Sequence, residues 1–191
     1  IAAISTPPGE GGIGIVRLSG PNAISIAACM FRSANGMDLR ETKSHTIHFG
    51  TICDEENRAV DQVLVSVFLK PTSYTAEDVI EISAHGGSHI LKKILNLTLT
   101  YGARHAEPGE FTRRAFLNGR IDLAQAEAVL DLIRARTDRS LEIALRQLAG
   151  RLSQEINSIK NELMKVYAHL EAYLDFPDEH LEVYSNREFK S

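Results

Sequence analysis

Residues 79–101 read VIEISAHGGSHILKKILNLTLTY, and the apolar period changes within them. Val79, Glu81 and Ser83 alternate with Ile80 and Ile82, the period of two that a strand imposes. After the Gly86–Gly87 pair, apolar residues return at helical spacing over 88–101, with Ser88 the expected N-cap and Gly102 the expected stop. The same two patterns recur outward from this stretch. Residues 1–5, 13–18, 46–52 and 63–69 read as strands, and 21–31 (PNAISIAACMF) as a helix. The run Val63–Leu69, stopped by Pro71, is almost wholly apolar and predicts a strand covered on both faces. Strands and helices in this order imply an α+β or α/β domain.

From Glu107 onward the pattern is helical. Pro108 suits a first helical turn, and Gly119 closes a short segment. Asp122 with Gln125 predicts a capping box for a helix reaching Arg136, and Thr137 is the expected cap of the next. That last helix is read as one long element bent at Gly150 and ended by Pro177. Leu145, Leu152, Ile159, Val166 and Tyr173 recur every seven residues along it. Leu141, Leu148, Ile156, Leu163 and Leu170 lie on the same side, giving a stripe of roughly nine turns at ~3.6 residues each. Such a stripe must be covered. The expectation is that further helices outside this sequence complete a bundle, or that a second copy covers it.

Composition narrows the classes. With 191 residues, 43% hydrophobic and 24% charged, the chain is globular and has room for one domain or two small ones. No run approaches the ~18 apolar residues of a membrane span, and no signal-peptide pattern opens the chain, so a cytosolic protein is expected. Cys29 and Cys53 are too few for a disulfide framework. A formal net charge of −4 argues against a non-specific nucleic-acid binder. No Gly-Lys-Ser or Gly-Lys-Thr occurs, so the sequence holds no P-loop.

Four stretches carry candidate chemistry. Gly9, Gly11 and Gly14 satisfy G-x-G-x-x-G, but a strand-like run follows where a dinucleotide site needs a helix N-terminus. The loop is read as a strand connection whose backbone edge suits a flat ligand or a partner chain. His85-Gly86-Gly87-Ser88-His89 has two imidazoles but no third ligand and no helix across the glycines, so a strand-to-helix turn is preferred over metal. Eight arginines between 113 and 151 (Arg113, Arg114, Arg120, Arg134, Arg136, Arg139, Arg146 and Arg151) face five carboxylates. Most of them read as a solvated helical face with salt bridges, leaving a minority for phosphate. Glu81 is the remaining candidate. A carboxylate between apolar neighbours on a strand needs a partner. That partner is either an arginine or a ligand with two parallel N–H donors, such as a guanine or a pterin. Two readings therefore stand together, a ligand site and an internal Arg–Glu bridge.

The blocks TPPGEGGIGIVRLSG (6–20), YTAEDVIEISAHGG (74–87), EPGEFTRRAFLNGRIDLAQAEAVLDLI (107–133) and LDFPDE (174–179) resemble the MnmE (TrmE) family of tRNA modification GTPases, in family order over nearly the whole chain. The resemblance implies an α+β fold. Residues 1–118 would form a tetrahydrofolate-binding-like domain of mixed sheet and helices, the site of folate binding and homodimerisation. Residues 119–191 would be the first part of an incomplete all-α helical domain. It implies a 5-formyltetrahydrofolate-type cofactor held by Arg17, Glu81 and Arg120. Position 120 is often Lys in the family, so the charge is kept but the geometry differs. The backbone around Gly11–Gly14 and His85–Gly87 would line the site. GTP, Mg²⁺ and K⁺ belong to the family's G domain, which this sequence lacks, so no GTP hydrolysis is expected from it. The implied partners are a second copy, tRNA and an FAD-dependent enzyme. The implied process is one-carbon-dependent modification at C5 of the wobble uridine in the cytoplasm. Alternatives are an interaction scaffold with a vestigial pocket, a folate-dependent one-carbon transferase and a basic tRNA-binding module.

Overall fold

A computed structural model describes residues 1–175. Six strands form one sheet: β1 (Ala2–Ile4), β2 (Gly11–Ser19), β3 (Phe31–Ser33), β4 (Thr46–Cys53), β5 (Ala59–Phe68) and β6 (Val79–Gly86), in the order β1-β2-β6-β5-β4-β3. All five strand pairs are antiparallel, and an isolated bridge from Ala2 to His105 adds a parallel contact. The α+β reading holds. Helices α1 (Ala23–Met30) and α2 (Ser88–Thr100) pack on one face of the sheet. There Val16, Leu18, Val65, Val67, Ile80 and Ile82 meet Ala27, Met30, Leu91 and Ile94 in one core. The alternation read at 79–83 is thus the division between this core, which takes Ile80 and Ile82, and the open face, which keeps Glu81 and Ser83 half-buried.

The expectation that 63–69 is covered on both faces is corrected. Val63, Val65 and Val67 are buried, but Leu64 is 46% exposed, because both helices lie on the other side of the sheet. Leu64 pairs with Phe49, and with Ile13 and Ile47 these two leave large apolar side chains on the open face. The glycine loop is also redrawn. Gly11 and Gly14 lie inside β2 at a register irregularity. At Gly14 the backbone runs so close to α2 that an added Cβ would fall 2.8 Å from Leu91 Cδ2 and nearer still to Cδ1. Close helix–sheet packing, not a phosphate, explains that glycine.

Beyond residue 106 the described chain consists of helices and turns: α3 (Glu110–Leu117), α4 (Leu123–Arg134), α5 (Asp138–Leu148) and α6 (Arg151–Asp175). The capping box at Asp122 and Gln125 forms with both halves present, and Thr137 caps α5 with Ser140 as its reciprocal partner. Other boundaries shift. Gly87, not Ser88, is the N-cap of α2, and Pro108 precedes α3, whose N-cap is Gly109. The helix read over 21–31 gives up Phe31 to β3, which the sequence reading missed. The single long helix is two. Gly150 takes φ +78, a left-handed conformation that ends α5 instead of bending it. Ala128 of α4 and Ala144 of α5 are buried, whereas no residue of α6 is, so its stripe is uncovered by the described residues. Pro177 and the end of the 174–179 block lie outside the described residues.

Candidate functional site

Strand pairing alone brings two of the expected residues together. In the β2–β6 ladder Arg17 lies directly opposite Glu81, although 64 positions separate them. Both point to the open face, because their neighbours Val16, Leu18, Ile80 and Ile82 occupy the core. Arg17 Nε donates to Glu81 Oε1 at 2.8 Å, and its Nη2 lies 2.6 Å from the same oxygen. The internal bridge weighed from the sequence therefore exists. It occupies one oxygen only, and among the described residues no donor reaches Oε2. The two side chains keep 26% and 23% exposure, so the pair is open to a ligand.

The third residue arrives from the helical half. Arg120 follows α3, and its Nη1 donates 3.0 Å to the main-chain carbonyl of Tyr74. Arg17, Glu81 and Arg120 line one cleft of about 460 Å³, with His45, Phe68 and Tyr74 among its other walls. That volume suits a bicyclic ring with a tail. Its lining sets two arginines and a carboxylate with one free oxygen beside Thr72, Ser73 and His45 and against aromatic carbon. This combination accepts N–H donors at one point and anions at others.

A buried ionic network holds the wall carrying Tyr74. Glu110 is 2% exposed and receives Arg104 Nη2 at 2.6 Å, Arg114 Nη2 at 3.0 Å and the Glu107 N–H at 2.8 Å. The Arg104 guanidinium first of all, helped by the Glu107 N–H and Arg114, holds the Glu110 carboxyl far below the usual carboxylate range despite the opposing cost of burial. Arg114 reaches on to Glu77 at 3.0 and 3.1 Å, and Ser19 Oγ donates to Glu77 Oε2 at 2.7 Å. Asn118 Nδ2 donates to the Thr75 carbonyl at 2.7 Å. The segment from α3 to Arg120 thus clamps the 70–78 loop against the sheet.

The remaining sequence candidates separate from this cleft. His85 pairs with Asp61 through Nδ1 at 2.7 Å and is 69% exposed. Among the described residues no group of three His, Cys, Asp or Glu side chains is placed to hold a metal. Of the arginines, Arg113, Arg114 and Arg146 are in salt bridges, and Arg134, Arg136 and Arg139 have no carboxylate partner among the described residues. No helix of the described residues is long and apolar enough to cross a membrane. The sequence reading passed over Tyr74, Phe68, His45 and the Glu110 network. Tyr74 opens one of the quoted blocks, but it sits in a turn where strand alternation from Glu81 gives no direction.

Fold and cleft together define an α+β domain with an open charged cleft that continues directly into a helical region. Two family models cover nearly all of the chain: "GTP-binding protein TrmE N-terminus" matches residues 1–120 and "MnmE helical domain" matches residues 123–191. The chain belongs to the TrmE/MnmE family. Among curated proteins named tRNA modification GTPase MnmE, it is 57% identical over 180 residues to that of Moorella thermoacetica, covering 94% of this chain. It is 55% identical to that of Geobacillus thermodenitrificans and 54% to that of Bacillus subtilis, each over 179 residues and 93% of this chain. The chain spans 39% of the length of each of these relatives.

Proposed function

We propose that this chain binds a reduced folate of the 5-formyltetrahydrofolate type in the cleft of Arg17, Glu81 and Arg120. It pairs with a second copy through its first domain. The observation that carries the reading is Glu81, held by Arg17 through one oxygen while the other meets no donor among the described residues. A reduced pterin presents a ring N–H and an exocyclic amino group along one edge, and Glu81 Oε2 is the acceptor for that edge. Arg17, bonded to Glu81, contacts polar groups at the pterin end, and Arg120 supplies positive charge for the ligand's anionic groups. The exposed apolar side chains Ile47, Phe49 and Leu64 support dimerisation through the open sheet face.

On this reading residues 1–118 are the folate-binding and dimerisation domain and 119–191 the first part of the helical domain. The bound folate supplies the one-carbon unit for modification at C5 of the tRNA wobble uridine. Partners in the cytoplasm are tRNA and an FAD-dependent enzyme. GTP, Mg²⁺ and K⁺ act in a G domain outside this sequence.

Calorimetry with 5-formyltetrahydrofolate is the test. Saturable heat is expected, and Glu81→Ala should weaken binding at least about tenfold, since a charge-assisted hydrogen bond contributes roughly 1.5–3 kcal/mol. No heat from folded protein, or an unchanged affinity in Glu81→Ala, overturns the assignment.

A further inference from the structure

We propose that Tyr74 is a positioning residue of the cleft, whose ring and carbonyl hold the Arg120 guanidinium where it selects a ligand carrying carboxylates. The inference rests on the folate reading above and extends it to a residue that makes no polar contact with the ligand itself. Both cations lie against one ring: Arg17 Cζ is 5.4 Å and Arg120 Cζ 5.1 Å from the Tyr74 centroid. These are cation–π distances. Arg17 also has the Phe111 ring at 5.6 Å. Arg120 is exposed, and a free guanidinium on a flexible stem would lose rotamer entropy on binding. Here the ring and the Tyr74 carbonyl hold it beforehand.

Tyr74 is itself fixed. Its Oη shares a 2.8 Å hydrogen bond with Thr112 Oγ1 on α3. The following residue, Thr75, is buried and shares a 2.6 Å hydrogen bond with Ser19 Oγ. Arg17 is also bonded to Glu81 Oε1, whereas Arg120 is held by the Tyr74 ring and carbonyl, so recognition divides between the Arg17–Glu81 pair and Arg120. The Glu81 carboxylate reads the pterin edge, and the ring-held Arg120 reads negative charge elsewhere on the ligand.

The test compares 5-formyltetrahydrofolate with its glutamate diamide, the same molecule with its carboxylates neutralised, by calorimetry on the whole chain. Tyr74→Leu should weaken the carboxylate ligand about tenfold, the factor that ~1.4 kcal/mol represents, and change diamide binding less than twofold. Glu81→Ala should weaken both ligands alike. Tyr74→Phe keeps the ring but loses the Thr112 hydrogen bond, and should show a smaller loss confined to the carboxylate ligand. This variant keeps the question decidable even if Tyr74→Leu fails to fold. Equal losses for the two ligands in Tyr74→Leu, or a tenfold loss in Tyr74→Phe, would show a general shaping role and overturn the inference. Normal wild-type binding with an unchanged Tyr74→Leu sinks the inference alone. Absence of binding by the wild type sinks the folate reading and this inference with it.

Discussion

Replacing Glu110 by Gln tests whether the ionic network under the cleft stabilises the fold. The substitution keeps size and one acceptor oxygen but removes a charge that is 2% exposed and satisfied by two guanidiniums and a backbone N–H. Breaking a buried ion pair costs about 3–5 kcal/mol, because the surviving partner stays desolvated and unpaired. Arg104 is 58% exposed and rehydrates, and Arg114 keeps Glu77, so the low end, about 3 kcal/mol, applies. Urea denaturation reads this directly. With a slope of about 1–3 kcal/mol/M, the midpoint should fall by roughly 1–3 M without a change of slope. The pH dependence is a second check with a fixed sign. The folded Glu110 carboxyl titrates below its ordinary value of 4.5. Its stabilisation is therefore fully present above that value and is lost as pH falls through the lower folded value. Wild type and variant should differ most at neutral pH and converge in acid below about 4.5. A midpoint shift under about 0.3 M at pH 7, or a difference that grows in acid, would mean that the network does not stabilise the fold.

Two further outcomes are expected. Gly14→Ala puts a methyl against Leu91, which is 5% exposed and has little room to move, so it should cost about 1–3 kcal/mol in thermal or chemical unfolding. A neutral result would mean that α2 shifts freely on the sheet. Phe49→Lys together with Leu64→Lys places charge on the open sheet face, where both side chains are about half exposed, and should leave a folded monomer in analytical ultracentrifugation. A dimer of unchanged affinity would rule out that face.

Features set by neighbouring residues were readable in advance. The capping box at Asp122 and the cap at Thr137 use side chains within three positions and form as read, with Ser140 completing a second box that the sequence reading missed. The alternation around Glu81 described its strand correctly, since period and burial agree over a few residues. The longer readings failed where packing intervened. Val63–Leu69 carries apolar residues for two faces, yet α1 and α2 cover only one, and no local pattern says how many layers a sheet receives. Gly150 was legible as a weak point, but its positive φ depends on how α5 and α6 are held. Gln125 Nε2, for example, donates 2.8 Å to the Leu148 carbonyl at the end of α5.

The cleft divides along the same line. Residue chemistry marked Glu81 as needing a partner, and family resemblance marked Arg17 and Arg120 beside it. That Arg17 is the partner follows from β2–β6 register, which is chosen by burying Val16, Leu18, Ile80 and Ile82 together and not by the charged pair. Arg120 reaches the site only because α3 is tied to the 70–78 loop through Glu110, Arg114 and Glu77. Tyr74 had no signal of its own, since its role consists in touching two cations brought from opposite ends of the domain. Local periodicity and side-chain chemistry act over a few residues and are written along the chain. A site assembled from positions 17, 74, 81 and 120 exists only once burial of a shared core has chosen the register that makes them neighbours.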